Sequence, residues 1–381
     1  MFSSTLLAVA LTAGAPPVDP ELHKKAEQLV AQLGDKDYRD RERAAKELLE
    51  MGFAAKDAVL AGQKNPDGEI SDRCKKLYPA IFRHDLDKRV QKFLATPDGA
   101  IPDDLPGAAR WLKVAGDGKE SRELYAEMVK GHPELLLDIE LHPERLKQAY
   151  VEFMRDVYSR VNVRVTGAVG RPMPTDSEVL TFLFIGAVGD VRPTTAPGVS
   201  STYYYQFLNS TFLTTQLGKS TPFRKLFSGW LEKERYGLVV RRSLDIAAQH
   251  GVKECAPAAL KLAADRGVSP TYRASALISF SKLGSKDQLK DLEPFFKDKQ
   301  QIGGNIIVAN AERGTVEMRD IALGAAVQLV GQNLSDFGFE RKMPAGISSL
   351  SSYTYFAFTS DEKREAAHAK FKEWVEKNLK K

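Results

Sequence analysis

The sequence predicts an all-α protein, a solenoid-like stack of antiparallel helix pairs with an irregular middle segment. One pattern recurs at distant positions: Arg41-x2-Ala44-x6-Met51-Gly52, Arg273-x2-Ala276-x6-Leu283-Gly284, and Arg319-x2-Ala322-x6-Leu329-Val330-Gly331. Each copy reads as a helix with a small residue on its inner face and a glycine at its stop. Apolar residues also keep helical spacing over most of the chain. Gly251 and Gly284 close equivalent helix ends about one helix-pair repeat apart. Such units bury their apolar faces on their neighbours, so recurrence implies stacking.

Residues 1–15 read as an export signal, with the apolar core Leu6–Leu11 followed by Ala13-Gly14-Ala15. No Lys or Arg precedes that core, and Pro16 follows Ala15, both departures from the usual pattern. The stretch is shorter than the roughly 20 residues that span a bilayer. The expectation is an exported, soluble protein, periplasmic or extracellular, with no membrane span.

Residues 16–95 form an N-terminal helical domain. Leu22, Ala26, Leu29, Val30 and Leu33 share one helix face. Arg39–Met51 and Ala54–Gln63 follow, then Asn65-Pro66-Asp67-Gly68 as a turn, then a helix carrying Ile70, Cys74, Leu77 and Ile81. Residues 96–200 form a middle region with long loops. It opens on the polar break Thr96–Gly107 and carries helices at Ala108–Val114 and Glu120–Lys130. Its longest helix runs from Pro143 to about Asn162, with Leu146, Tyr150, Phe153, Val157 and Val161 on one stripe. Around the apolar helix Ser177–Ala187, residues 163–200 are the least regular part of the chain.

Residues 201–381 form a C-terminal helical repeat domain. Helices are expected at Ser201–Leu217, Thr221–Glu232, Tyr236–His250, Cys255–Asp265, Thr271–Leu283, Asp287–Phe296 and Val316–Val330. Ile306-Ile307-Val308 reads as a short strand or a packed loop. A last helix follows cap candidates at Thr359–Glu362 and turns Phe371 and Trp374 inward. The recurring arginine is expected to hold the stack in register through a salt bridge or carbonyl contact. Asp40, Glu42 and Asp320 are the nearby anions in sequence.

The 381 residues contain 55 Lys+Arg and 50 Asp+Glu, a net charge of +5. The signs are interleaved, as in Asp361-Glu362-Lys363-Arg364, which reads as solvated helix faces and argues against a nucleic-acid partner. Cys74 and Cys255 each lie in a helical pattern and read as buried free thiols rather than a disulfide framework.

The Arg-x2-Ala-x6-Leu-Gly units, best seen from Arg273 to Phe295, resemble HEAT-like repeat proteins. The C-terminal part also resembles a group of exported bacterial proteins of unknown function. Met318–Leu323, Leu329-Val330-Gly331-Gln332, Phe337-Gly338-Phe339, Asp361–Arg364 and Trp374 carry that likeness. The resemblance implies protein–protein interaction and transfers no catalytic residue.

No chemical motif competes with this reading. The six histidines include no i,i+4 pair around a carboxylate, and neither cysteine has a second cysteine nearby, so no metal site is expected. No nucleophile elbow or Walker loop is present, and no cofactor is expected.

Tyr203-Tyr204-Tyr205 is the most unusual local feature. Successive helical residues point about 100° apart, so three tyrosines cannot share one core stripe. At least one must contact another segment or lie exposed. Tyr203, Tyr204, Tyr205 and Arg192 are therefore the candidate binding residues. The expected function is a non-enzymatic scaffold for a protein partner. The alternative is an enzyme or small-molecule binder using residues 163–217.

Overall fold

The computed structural model describes residues 20–84, 86–96, 105–162, 173–189, 191, 201–308, 312–341 and 353–379. The apolar leader of residues 1–15, Arg192 and most of the irregular stretch 163–200 lie outside the described residues. All but a small part of the described secondary structure is helical, so the chain is all-α as the sequence predicts. Contacts divide it into one unit of residues 1–113 with 117–142, and a second of residues 143–381 with 114–116.

In the first unit, α1 (Pro20–Gln32) and α2 (Tyr38–Met51) pack antiparallel around Ala26, Leu29, Ala44 and Leu48. The Asp37 side chain caps α2 by accepting from the Arg39 amide at 2.8 Å. Gly52 ends α2 with φ +55 and ψ −132, a backbone nearly closed to other residues, and a Cβ there would strike the His84 ring. A 3-10 turn over Gly52–Ala55 leads into α3 (Lys56–Gly62). α4 (Gly68–Arg83) then starts on an Asp67 cap and buries Ile70, Cys74 and Ile81. α5 (Leu86–Ala95), α6 (Ala108–Ala115), α7 (Lys119–Gly131) and α8 (Pro133–Leu141) complete this part. The Trp111 indole donates to both the carbonyl and the hydroxyl of Ser121, at 3.0 and 2.9 Å.

The second unit is built around α9 (Pro143–Asn162) and α10 (Asp176–Val188). α10 is apolar on all sides and correspondingly buried on all sides. A Thr175–Glu178 capping box starts it. Next come α11 (Ser201–Leu208), α12 (Thr211–Lys219) and α13 (Thr221–Lys233). Residues 201–217 were expected as one helix. The structure breaks them at Asn209-Ser210, because the Ser210 hydroxyl caps a new helix by accepting from the Leu213 amide at 3.1 Å.

α14 (Gly237–Gln249), α15 (Ala256–Ala264), α16 (Pro270–Leu283) and α17 (Met318–Leu329) follow. α14 packs on α16 and α16 on α17, while α15 lies against α13, α14 and α16. Asp287–Phe296, expected as an α-helix, lies instead in a 3-10 helix over Lys286–Lys297 with Pro294 inside it. β1 (Ile306–Ile307) pairs antiparallel with β2 (Arg313–Gly314). α18 (Asp361–Asn378) closes the chain on a Ser360 cap and buries Phe371, with Trp374 half-buried beside it.

The recurring arginine has a defined role. Arg41 and Arg273 are each the fourth residue of their helix. Arg41 donates to the Asp35 and Lys36 carbonyls, just past the end of α1, at 2.7 and 3.2 Å. Arg273 donates to the Ala263 carbonyl, in the last turn of α15, at 2.7 Å. Three arginines outside the sequence pattern occupy the same fourth position and do the same. Arg89 reaches the Phe82 and His84 carbonyls at the end of α4. Arg122 reaches Phe93 in α5 at 2.9 Å. Arg224 reaches Leu217 and Gly218 in α12 at 2.7 and 3.1 Å. The last carbonyls of a helix lack intrahelical donors and carry partial negative charge, so a guanidinium satisfies both needs.

Arg319 departs from this rule and from its expected neighbour Asp320. It is the second residue of α17 and bonds Glu317 and Glu365, both at 2.6 Å. Asp320, fully buried, pairs instead with Arg364 of α18 at 2.9 and 3.0 Å. Likewise Asp40 pairs with Arg43 and Glu42 with Arg73, not with Arg41. Helical neighbours in sequence diverge by about 100°, which sends adjacent charges to different partners.

Candidate functional site

α11 distributes its three tyrosines to three environments. Tyr203 packs against Tyr158 of α9 with ring centroids 4.8 Å apart and the planes tilted by 54°. Tyr204 is 0% exposed and stands edge-on to Phe182 at 5.8 Å. Phe182 in turn stacks on Phe207 at 4.3 Å, with Tyr150 and Trp230 at 6.1 and 5.2 Å. Tyr204 is thus part of an aromatic core and not of a binding surface. Its hydroxyl makes no hydrogen bond of normal geometry, although the Glu234 carboxylate stands nearby. Burial, then the Glu234 charge, push its pKa well above the ordinary tyrosine value.

Tyr205 is half-buried and stands among Arg241, Tyr236, Tyr272 and Arg242. Burial raises its pKa and the Arg241 charge opposes the rise. The Arg241 guanidinium lies 5.9 Å from the centre of the Tyr272 ring and pairs with Asp245 one turn along α14 at 3.0 Å. Arg241 Nε and Asp245 Oδ1 are buried and without a hydrogen-bond partner. Burial raises the Asp245 pKa against the pull of Arg241. Arg242 donates to the Asn209 side chain at 3.2 Å. Tyr236, just ahead of α14, is 39% exposed.

Tyr205, Tyr236, Tyr272 and Arg241 therefore lie near one another where α11, the start of α14 and α16 meet, with Tyr236 the exposed member and Arg241 largely buried. Of the predicted set, Tyr205 belongs to it, Tyr203 and Tyr204 do not, and Arg192 lies outside the described residues. Sequence reasoning missed Tyr236, Arg241 and Tyr272, which come together through the packing of three helices. One cue was present: Tyr272 precedes Arg273, so when the arginine turns inward its neighbour turns outward.

Among the described residues, no group of three or more His, Cys, Asp or Glu side chains is placed to hold a metal ion. No helix among them is long and apolar enough to cross a membrane. The cluster around Asp320, Arg364, Glu317 and Arg319 is internally paired and joins α17 to α18. No family model, curated protein or solved structure matches the chain.

Proposed function

We propose that the chain is a non-enzymatic, HEAT-like helical scaffold that binds a protein partner through the surface formed by Tyr205, Tyr236, Tyr272 and Arg241. The convergence of these four residues from three helices carries the reading. Tyrosine and arginine supply most of the strong anchors in protein interfaces, offering wide contact area with a polar end. Three of the four backbones lie in regular helices and Tyr236 directly precedes one, so little order has to be imposed on binding. The arginine repeated at the fourth helical position supports the repeat half of the proposal, because one joint reused along a chain is what stacked units require.

A photo-crosslinking amino acid at position 205 tests it in the native host fraction, with a crosslinker at exposed Tyr38 as the control site. One protein adduct is expected at 205, absent at 38 and lost in a Tyr236→Ala/Tyr272→Ala background. No adduct at 205, or equal adducts at both sites, overturns the proposal. Tyr204 stays intact in every variant, since it belongs to the core.

A further inference from the structure

A cleft of about 330 Å³ opens where the end of α13, the start of α14 and α15 meet. Its floor includes the buried side chains Leu231, Val240 and Leu262. Its rim carries two cations, Arg235 and Lys261, and two carboxylates, Glu234 and Asp265. Glu234 Oε1 accepts from the backbone amides of Arg235 and Tyr236 at 2.7 and 2.8 Å, serving the start of α14. Asp265 Oδ1 accepts from the Gly267 amide at 2.8 Å. Both acids are thus engaged by backbone donors.

The cations are engaged by backbone oxygens, and both use the same one. Arg235 Nη1 and Lys261 Nζ converge on one acceptor, the Glu232 carbonyl, at 2.9 and 3.0 Å. Arg235 also reaches the Glu234 carbonyl at 3.0 Å. Among the described residues neither has a carboxylate within ion-pair distance. An ammonium has three donors and a guanidinium five, so most of their capacity is free. Partial desolvation, then the adjacent Arg235 charge, lower the Lys261 pKa, with Glu232 opposing. Capping the end of α13 accounts for one cation; a second on the same oxygen adds repulsion that an anion would relieve.

We propose that this cleft binds a monocarboxylate bearing an apolar tail, with the carboxylate bridging Arg235 and Lys261 and the tail on Leu231, Val240 and Leu262. A guanidinium and an ammonium side by side suit a two-oxygen anion. The volume lies at the small end of ligand sites, fitting one apolar residue or a short acyl chain rather than a large cofactor. The same chemistry occurs at the C-terminus of a polypeptide and in a free acyl carboxylate. The proposal stands independently of the tyrosine surface, which shares none of the groups that would hold the anion.

Calorimetric titration of the full chain with N-acetyl-leucine, N-acetyl-leucinamide and octanoate tests it. Both acids should bind and the amide should not. Tighter binding of N-acetyl-leucine identifies a chain terminus, and tighter binding of octanoate identifies an acyl carboxylate. Lys261→Gln and Arg235→Gln should each weaken the acids by about tenfold. Lys261→Arg should retain them, with unchanged thermal unfolding as the folding control. Equal binding of acid and amide, no binding of either acid, or affinity unchanged in both Gln variants overturns the proposal.

Discussion

Arg273 Nε donates to the Ala263 carbonyl at 2.7 Å, so a side chain in the first turn of α16 closes the last turn of α15. The same guanidinium holds Asp298 at 2.7 Å, tying α16 to the segment that follows its 3-10 partner. One buried group thereby links α15, α16 and the segment beginning at Asp298.

Replacing Arg273 with methionine keeps much of the apolar stem but leaves Asp298 and the Ala263 carbonyl without their main donor. Stability should fall by about 1–3 kcal/mol, the cost of leaving the buried Ala263 carbonyl without its donor, because Arg266 still pairs with Asp298 at 3.2 Å. The exposed pair Arg43–Asp40 provides the contrast: Arg43→Ala should cost less than about 1 kcal/mol. Urea denaturation of the two variants measures both.

The effect of Arg273 should depend on pH. Burial alone would raise the Asp298 pKa; hydrogen bonds from Arg273 and the Gln300 amide, with the Arg273 and Arg266 charges, overcome that and hold it below the ordinary carboxylate value. Its contribution is complete above the unfolded carboxylate pKa and is lost as pH falls through the lower folded value. The stability gap between wild type and Arg273→Met should therefore be wide at neutral pH and narrow in acid. A gap independent of pH would contradict the pairing.

Tyr204 separates core from surface. Tyr204→Phe removes a buried hydroxyl that stands near the Glu234 carboxylate without a hydrogen bond of normal geometry, and should change stability by less than about 1 kcal/mol. Tyr204→Ala empties an aromatic core and should cost about 3–5 kcal/mol. Tyr205→Ala should cost much less while reducing partner crosslinking at the retained tyrosines. Thermal unfolding of the three variants orders them.

Two glycines at helix ends differ in what surrounds them. Gly251 has φ +63 and open space where a Cβ would stand, so Gly251→Ala should cost about 1–2 kcal/mol from backbone strain alone. Gly52 has φ +55 and the His84 ring in that place, so overpacking adds about 1–3 kcal/mol to Gly52→Ala. Denaturant midpoints should rank Gly251→Ala above Gly52→Ala.

Cys74 and Cys255 are free and buried, and burial pushes their thiols up to about 11 and about 12. Thiolate is the reactive form, so neither should react with a thiol reagent at mildly alkaline pH in the native protein. Both should titrate together once the chain is unfolded. Fast native labelling at either position would show a more open core than the structure describes.

Much of the helical pattern was legible because it is written in local spacing. The apolar stripe of α9, the cap candidates around Ser360, and the glycine after α2 all depend on residues within one or two turns. Where local signals competed, reading failed: an apolar run across 201–217 hid the Ser210 cap, and Pro294 tightened an expected α-helix into a 3-10 helix.

The sequence alone determined the all-α class, the repeated arginine and the impossibility of burying three successive tyrosines on one face, since helical periodicity sets all three. Tertiary structure decided which tyrosine is core, which carboxylate each arginine meets, and that Arg235 and Lys261 share one carbonyl. Those outcomes depend on how helices distant in sequence cross, and the spacing of residues along a single helix carries no record of that angle or register.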